Sequence, residues 1–193
     1  MDSMERLSDN YYVEKIRLGE TDCFAYLLNR YGKQVFSLIV KIVENREDAE
    51  ELAQDVFVKA YTSLSSFRGE SSFSTWIYRI AYNIAVSATR KKTSVFVSAD
   101  EGMIANMPDE ESDDMFATES VNDARISCLN SALELLPPDE RAMIMLFYKD
   151  NRSMEDIAFI TGLSETNVKT KIFRIRKKLF VLIKAMEEEN YGN

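Results

Sequence analysis

Residues 153–179, SMEDIAFITGLSETNVKTKIFRIRKKL, decide the fold of the C-terminal part of the chain. Ser153 and Ser164 are of a residue type that favours helix N-caps, and Gly162 between them gives the backbone freedom that a tight interhelical turn needs. In the second predicted helix, apolar residues recur at the spacing of one buried face, at Val168, Ile172, Ile175 and Leu179. The stretch therefore predicts a helix-turn-helix.

The other faces of this second helix carry cations, namely Lys169, Lys171, Arg174, Arg176, Lys177 and Lys178. A helix-turn-helix lays its second helix in the major groove of DNA, so that side chains near the helix N-terminus reach base edges. We expect Glu165, Thr166, Asn167, Lys169 and Thr170 to read bases, Lys171 and Arg174 to lie at the boundary, and Arg176, Lys177 and Lys178 to contact phosphate. The alternative is a solvated, lysine-rich helix in a bundle.

Composition predicts an all-helical protein. The 193 residues are 46% hydrophobic and include only 6 glycines and 3 prolines, so one domain or two small helical ones with real cores are expected. The formal net charge of −8 is unusual for a DNA-binding protein. It is explained by segregation, because acidic and basic residues are concentrated in different parts of the chain.

Several classes of function are disfavoured by residues that the chain lacks. It has no histidine and only two cysteines, Cys23 and Cys128, so we expect no zinc site, no cofactor and no catalytic residues. Both cysteines lie in apolar-periodic surroundings and are expected to be buried thiols in a reducing compartment. No apolar run approaches the ~18 residues of a membrane span, and the polar, acidic N-terminus is unlike a signal peptide. We therefore expect a cytoplasmic protein without direct membrane insertion.

Hydrophobic periodicity disappears between Ser98 and Asp123, where acidic residues abound and Lys and Arg are absent. This composition is typical of a flexible linker. We predict an acidic linker at residues 95–122 between two helical domains, at residues 1–94 and 123–193. A solvating role is the simpler interpretation, and mimicry of nucleic acid in a basic channel is the alternative.

The N-terminal domain is predicted to contain four helices. Their ranges are about 8–18, 22–43, 46–64 with Asn45 as the cap, and 72–92. In the second, the side chains expected to face inward are Phe24, Leu27, Leu28, Tyr31, Val35, Leu38, Ile39 and Ile42. The C-terminal domain is predicted to contain a helix before Pro137, another from Pro138 to about Lys149, and the helix-turn-helix.

The third helix has an acidic stripe opposite its buried face. Asp48, Glu51, Asp55 and, at the end, Lys59 follow one another at helical spacing, with Gln54 beside them. Such a stripe is either a solvated face or a docking surface for a basic partner. A carboxylate site for two metals is disfavoured, because it would require histidines.

The fourth helix combines aromatic and basic residues. Trp76, Tyr78 and Tyr82 are interleaved with cations such as Arg79 and Arg90, a pattern that suits single-stranded nucleic acid, in which bases stack on rings and phosphates contact cations. The alternative is that the aromatic residues belong to the core. For Trp76 we favour the core, and a buried Trp of this kind would cost about 3–5 kcal/mol on truncation to Ala. Asn83 and Arg90 are the better functional candidates.

Taken in order, DAEELAQDVF (48–57), FRGESSFSTWIYRIAYN (67–83) and the closing helix-turn-helix resemble the bacterial RNA polymerase sigma factors of the extracytoplasmic-function (ECF) group. The resemblance covers nearly the whole chain except the linker. It implies two small all-α domains, an N-terminal region 2 type and a C-terminal region 4 type. It also implies a non-catalytic initiation subunit that directs core RNA polymerase to promoters by recognising −10 and −35 elements and helping to open the duplex.

The resemblance assigns roles to particular residues. Binding to the clamp coiled coil of core polymerase is implied for Asp48, Glu51, Gln54 and Asp55. Contact with the −10 element is implied for Phe67, Arg68, Arg79, Asn83, Arg90 and Lys91. Contact with the −35 element is implied for Ser164, Glu165, Thr166, Asn167, Lys169, Thr170, Lys171, Arg174, Arg176 and Lys178. The segment LPPDERAMIMLFY (136–148) resembles the part that packs on the polymerase flap.

The chain departs from the family at Ser87, where an Asp is frequent, and this leaves the −10 base preference open. The implied partners are core RNA polymerase, promoter DNA and an anti-sigma factor. The closest alternative is a helix-turn-helix transcription regulator that acts without polymerase. It would bind palindromic duplex DNA tightly by itself, and it would leave the acidic stripe and the aromatic–basic helix without a role.

Overall fold

The computed structural model describes residues 7–43, 45–92 and 123–191, and every regular element in these ranges is helical. The N-terminal unit contains α1 (Asp9–Arg17), α2 (Phe24–Val43), α3 (Arg46–Thr62) and α4 (Phe73–Lys92), with short 3-10 turns at Thr21–Cys23 and Leu64–Ser66. The C-terminal unit contains α5 (Asp123–Glu134), α6 (Pro138–Tyr148), α7 (Met154–Thr161) and α8 (Glu165–Tyr191). The all-α prediction is confirmed, and the predicted linker lies outside the described residues.

Side-chain caps fix the starts of several helices. The Ser8 hydroxyl accepts a hydrogen bond from the backbone N–H of Tyr11 at 3.3 Å, at the start of α1. The Asn45 side chain accepts one from the backbone N–H of Asp48 at 3.0 Å, at the start of α3. Each cap satisfies a backbone donor that has no partner within the helix, so the helices begin where the sequence predicts.

The core of the N-terminal unit forms where α2, α3 and α4 pack against one another. Fully buried apolar side chains meet there, and they include Leu27, Val35, Ile39, Val56, Ala60, Ile77 and Ala81. Helix α1 is fastened to α2 by its Asp9 carboxylate, which pairs with Arg30 and accepts a hydrogen bond from the Tyr31 hydroxyl at 2.6 Å. The position of α3, and therefore of its acidic stripe, is set by this core.

The C-terminal unit is organised around α8, which packs against α5, α6 and α7. The four α8 residues predicted to face inward, Val168, Ile172, Ile175 and Leu179, are all buried. Ile157 and Ile160 of α7 are fully buried in the same core. The predicted register of the helix-turn-helix is therefore confirmed.

The two units also contact each other, with α6 against α2 and α7 against α4. Arg141 of α6 is almost fully buried and donates to the carbonyl oxygens of Lys41, Glu134 and Leu136 at 3.2, 2.7 and 3.0 Å. One guanidinium thus joins the end of α2 to the loop between α5 and α6.

The expectation of two buried thiols is half right. Cys128 is buried, whereas Cys23 is only partly buried because it lies in the short 3-10 turn before α2. Neither cysteine forms a disulfide in the structure.

Candidate polymerase and nucleic-acid interfaces

The acidic stripe lies on the outer face of α3. Glu51, Gln54 and Asp55 are exposed and Asp48 is partly buried, while Ala49, Val56 and Ala60 of the same helix are fully buried. The stripe therefore offers two exposed carboxylates and an exposed amide to a partner, on a helix whose opposite side is fixed in the core.

An apolar groove runs between α2 and α3 beside this stripe. It has a volume of about 520 Å³ and is lined by Phe24, Leu28, Gly32, Ala53, Gln54, Phe57, Val58 and Tyr61. Val58 is 62% exposed, and Leu28 and Tyr61 are also exposed. The expectation that Leu28 faces inward is wrong, because its side chain lies at the groove rather than in the core. Gln54 belongs to both the stripe and the groove, so the two surfaces are continuous.

A second pocket, of about 580 Å³, lies where the loop before α4 meets the first turns of that helix. Its lining includes four of the residues assigned to the −10 element, Phe67, Arg68, Arg79 and Asn83. Arg68, Arg79 and Asn83 are exposed, whereas Phe67 is buried and offers only part of its ring. The side chains of Arg90 and Lys91 lie outside the described residues.

The aromatic residues of α4 divide into two groups. Tyr78 and Tyr82 are buried, so they are not available for stacking on bases. Trp76 is only partly buried; it lines the pocket, and its ring centroid lies 5.3 Å from that of Phe67 and 5.6 Å from that of Phe73. The core assignment of Trp76 is therefore incomplete, because the ring is both a packing element and part of the pocket wall.

Sequence reasoning missed two further residues of this pocket, Lys59 and Phe159. Lys59 lies on the same face of α3 as the acidic stripe. The change from acidic side chains to a basic one at this position was the sequence signal that could have assigned Lys59 to the pocket. Phe159 comes from α7 of the other unit, and no local pattern predicts that contact. With Arg68 and Arg79, Lys59 gives the pocket three cations against the single carboxylate of Glu70.

The helix-turn-helix has the predicted caps. The Ser153 hydroxyl accepts from the backbone N–H of Asp156 at 3.0 Å, and the Ser164 hydroxyl accepts from that of Asn167 at 3.3 Å. Gly162 ends α7 with a φ of 76°, in the left-handed region where glycine is favoured. The Asp156 carboxylate accepts from the Ser153 hydroxyl at 2.9 Å, in addition to the backbone cap.

The cations of α8 do not share one environment. Lys169 and Arg174 are exposed, as are Ser164, Glu165, Thr166, Asn167 and Thr170.

Lys171 and Lys178 form ion pairs at 3.1 Å with Asp139 and Glu140 of α6. Lys177 is buried, with its ammonium 4.4 Å from the centroid of the Phe173 ring, and Arg176 is partly buried. The exposed set clusters in the first turns of α8.

Burial raises the pKa of two groups near the surface where α4 and α7 pack together. It raises the pKa of the Tyr78 hydroxyl, although a hydrogen bond with Arg152 acts in the opposite direction. Burial also raises the pKa of the Asp150 carboxyl, against the charges of Arg152 and Lys149. Tyr78 therefore keeps its proton at neutral pH and acts as a neutral, packed side chain.

Within residues 7–43, 45–92 and 123–191, no group of three or more His, Cys, Asp or Glu residues is placed to hold a metal ion. None of the helices in these ranges combines the length and apolarity needed to cross a membrane.

Comparison with known proteins identifies the family. Residues 27–95 match the family model of Sigma-70 region 2, and residues 126–179 match that of Sigma-70, region 4. The chain is 34% identical over 186 residues to the ECF RNA polymerase sigma-E factor of Escherichia coli K12, covering 91% of this chain and 94% of that protein. The chain belongs to the ECF sigma factors.

Other relatives agree with this assignment. The sigma factor is 31% identical over 177 residues to the RNA polymerase sigma-H factor of Pseudomonas aeruginosa, covering 89% of this chain and 91% of that protein. Its fold is similar to the sigma factor RpoE of Bartonella quintana, solved in complex with the anti-sigma factor NepR. That match has a TM-score of 0.61 and 26% identity, and covers 83% of this chain and 96% of the other. CnrH, solved with the cytosolic domain of CnrY, shares the fold at a TM-score of 0.64 and 22% identity, with 92% and 97% covered.

The family defines the function of the sigma factor. It directs core RNA polymerase to promoters, and its two units are the region 2 and region 4 domains that bind polymerase and promoter DNA. The alternative of a regulator that acts without polymerase is not favoured, because the region 2 match covers the helices for which that alternative has no role.

Proposed function

We propose that the sigma factor binds the clamp coiled coil of core polymerase through the acidic stripe and the apolar groove together. Asp48, Glu51, Gln54 and Asp55 supply charge and hydrogen-bond acceptors, and the groove beside Val58 supplies apolar area. An exposed apolar patch rimmed by charge is typical of a protein-binding site. The partner that fits is a helical segment that carries both cations and aliphatic side chains.

We propose that the pocket at the start of α4 captures an unpaired base of the −10 non-template strand. The observation that carries this proposal is the composition of the pocket wall, in which Trp76 offers a ring for stacking, Arg68 and Arg79 offer charge to phosphate, and Asn83 offers an amide to a base edge. This combination suits single-stranded DNA. Extrusion of a base into a pocket traps the open duplex without hydrolysis of a nucleotide.

Replacing Asn83 with Ala should weaken capture of the −10 strand. Asn83 is exposed at the pocket, so its loss removes hydrogen bonds without disturbing the core. We expect the affinity of the holoenzyme for a single-stranded −10 oligonucleotide to fall by about 1–3 kcal/mol, and core binding to stay unchanged. Fluorescence anisotropy with the labelled oligonucleotide measures the first quantity, and a pull-down of core polymerase measures the second.

Asn29→Ala is the matched control, because it makes the same substitution at an exposed position of α2 that does not line the pocket. If Asn83→Ala reduces only core binding, the DNA-contacting face of α4 has been misplaced.

We infer that the first turns of α8 read the −35 element. The exposed residues there, from Ser164 to Thr170, occupy the part of a recognition helix that reaches base edges. Arg174 and Arg176 follow along the helix toward phosphates. Lys171 and Lys178 would have to break their ion pairs with α6 carboxylates before they could contact DNA. This reduces the binding free energy that each contact with DNA contributes.

Lys169→Ala and Lys178→Ala should separate base reading from phosphate binding. Lys169→Ala should change the preferred −35 base at one position by about 1–3 kcal/mol. Lys178→Ala should weaken binding to all DNA sequences alike. It should also lower the slope of log affinity against log salt concentration by at most about one unit. Promoter selection by the holoenzyme from a randomised −35 library compares the two. The opposite pattern would show that the helix enters the groove in another register.

We further propose that the sigma factor performs no catalysis itself, works in the cytoplasm and is regulated by an anti-sigma factor. Support comes from its relatives, which include a sigma factor solved with its anti-sigma factor. The domain boundaries at residues 1–94, 95–122 and 123–193 are also proposed, and they are consistent with the matched ranges 27–95 and 126–179.

A further inference from the structure

The loop between α3 and α4, residues 63–72, supplies much of the wall of the −10 pocket. The loop residues that line the pocket are Ser63, Ser66, Phe67, Arg68, Glu70 and Ser71. Arg68, Gly69 and Glu70 are exposed, and the backbone at Gly69 has a φ of 75°. Packing therefore does not fix these three residues, and the place of Arg68 in the pocket depends on how Phe67, directly before it, is held.

Phe67 is held by its ring and by its backbone. The ring is buried, and its centroid lies 5.7 Å from that of Phe73 and 5.3 Å from that of Trp76. The carbonyl oxygen of Phe67 accepts a hydrogen bond from the guanidinium of Arg17, the last residue of α1. The same guanidinium nitrogen donates to the Leu64 carbonyl oxygen at 3.5 Å. We call these two hydrogen bonds from Arg17 the loop anchor.

The loop anchor closes the 3-10 turn with which the loop begins. Leu64 is the first residue of this turn and Phe67 follows its last, and the backbone N–H of Phe67 donates to the Leu64 carbonyl oxygen at 3.1 Å. A carbonyl oxygen has two lone pairs, so the Leu64 oxygen can accept from both Phe67 and Arg17. Arg17 thus ties both ends of the turn to α1.

Arg17 is itself oriented by a neighbour on α1. Its other terminal nitrogen donates to the Glu14 carboxylate at 2.6 Å, one turn earlier, and its side chain is 35% exposed. Helix α1 is in turn fastened to α2 through Asp9. A planar guanidinium offers separate N–H groups to a carboxylate and to two carbonyl oxygens at once, whereas a lysine ammonium is a compact point charge. Arginine is therefore the residue type that suits the loop anchor.

The position of Arg17 separates it from both the pocket and the core. Arg17 does not line the pocket, and α1 precedes the residues 27–95 that match Sigma-70 region 2. Its side chain lies outside the buried core, so its loss should loosen the loop rather than unfold the domain. A loop that is fixed before DNA arrives does not have to be ordered on binding, and this raises the affinity.

We propose that Arg17 is a positioning residue for −10 recognition, which holds the Leu64–Phe67 turn so that Phe67 and Arg68 stand at the pocket before the strand arrives. This role rests on the proposed −10 pocket. It adds that α1, through one guanidinium, sets the geometry of the loop that receives the base.

Arg17→Gln in the full chain, assembled with core polymerase, removes the loop anchor. Lys15→Gln is the matched control, because it removes the same charge and an ion pair, that with Glu20, from the same helix. Lys15 does not line the pocket. The probes are the labelled −10 oligonucleotide and a set of copies, each with one abasic nucleotide. The position at which base removal weakens the wild-type holoenzyme most is used for the comparison. Fluorescence anisotropy gives the ratio of the two dissociation constants, abasic over intact, for each holoenzyme.

The ratio should be at least about tenfold for the wild type and for Lys15→Gln, because a stacked base contributes about that much to affinity. It should fall to about threefold or less for Arg17→Gln, because a loosened loop no longer presents a formed pocket to the base. A purely structural role would lower the active fraction of protein and weaken both strands equally, which leaves the ratio unchanged. If Arg17→Gln does not fold by circular dichroism, Arg17→Lys, which keeps the charge, takes its place and should also lower the ratio.

A folded Arg17 variant that keeps the wild-type ratio overturns the positioning role, and so does an equal fall of the ratio in Lys15→Gln. These failures are distinct from a failure of the pocket. If no abasic position weakens the wild-type holoenzyme, and Asn83→Ala leaves capture unchanged, the pocket assignment itself is wrong and the role of Arg17 is wrong with it. If the wild type responds to base removal and Arg17→Gln responds equally, the pocket stands and only the loop anchor is excluded.

Discussion

Reversing the charge of both Glu51 and Asp55 to Lys should abolish binding to core RNA polymerase. Both side chains are exposed on α3, beside the groove lined by Val58 and Tyr61, so the substitutions leave the core of the domain intact. Removing one partner of an interfacial charge pair costs about 2–5 kcal/mol, and reversal adds repulsion. The dissociation constant should therefore rise at least about a thousandfold for the double variant. Biolayer interferometry with immobilised core polymerase measures it.

Glu20→Lys combined with Glu188→Lys is the control, because it changes the net charge equally at two exposed positions away from the stripe. Glu20 forms only an exposed pair with Lys15, so its loss should be small. Circular dichroism should show wild-type helicity for both double variants. Tight core binding by the Glu51 and Asp55 double variant would exclude the stripe as the docking surface.

Replacing Trp76 with Ala should impair stability and promoter opening together. The ring packs on Phe67 and Phe73 and is partly buried, so truncation should lower the free energy of unfolding by about 2–3 kcal/mol, less than for a fully buried Trp. It also removes the stacking surface of the pocket, which is worth about 1–3 kcal/mol per base. Urea unfolding followed by circular dichroism measures the first effect, and formation of permanganate-reactive thymines by the holoenzyme measures the second.

Trp76→Leu separates the two roles, because Leu keeps apolar contact with the phenylalanine rings but offers no ring to a base. We expect this variant to recover most of the stability of the wild type and still open promoters poorly. If it opens promoters at the wild-type rate, Trp76 is a packing residue only.

The features that follow from local chemistry could be predicted from the sequence. Asn45, Ser153 and Ser164 cap the helices that they precede, because a side-chain oxygen at this position satisfies a free backbone donor. The buried face of α8 has the predicted register, because apolar spacing determines which side of a helix leaves water. The exposed side of α3 follows from the same rule.

The features that depend on contacts between distant segments could not be predicted. Leu28 fits the inward pattern of α2, yet its side chain is exposed at the groove between α2 and α3. Lys171 and Lys178 were expected to face DNA, yet they pair with acids of α6 that only the fold brings near. Phe159 reaches the −10 pocket because the two domains contact each other, and sequence spacing carries no information on that contact.

The most direct test of sigma-factor function is transcription by bacterial core RNA polymerase reconstituted with the full chain on genomic DNA fragments, with the 5′ ends of the transcripts mapped. We expect transcripts to start at defined positions only when the chain is present, and we expect two sequence elements to recur at a fixed separation upstream of these positions. No chain-dependent start sites, together with tight binding of the chain alone to palindromic duplex DNA, would contradict this expectation.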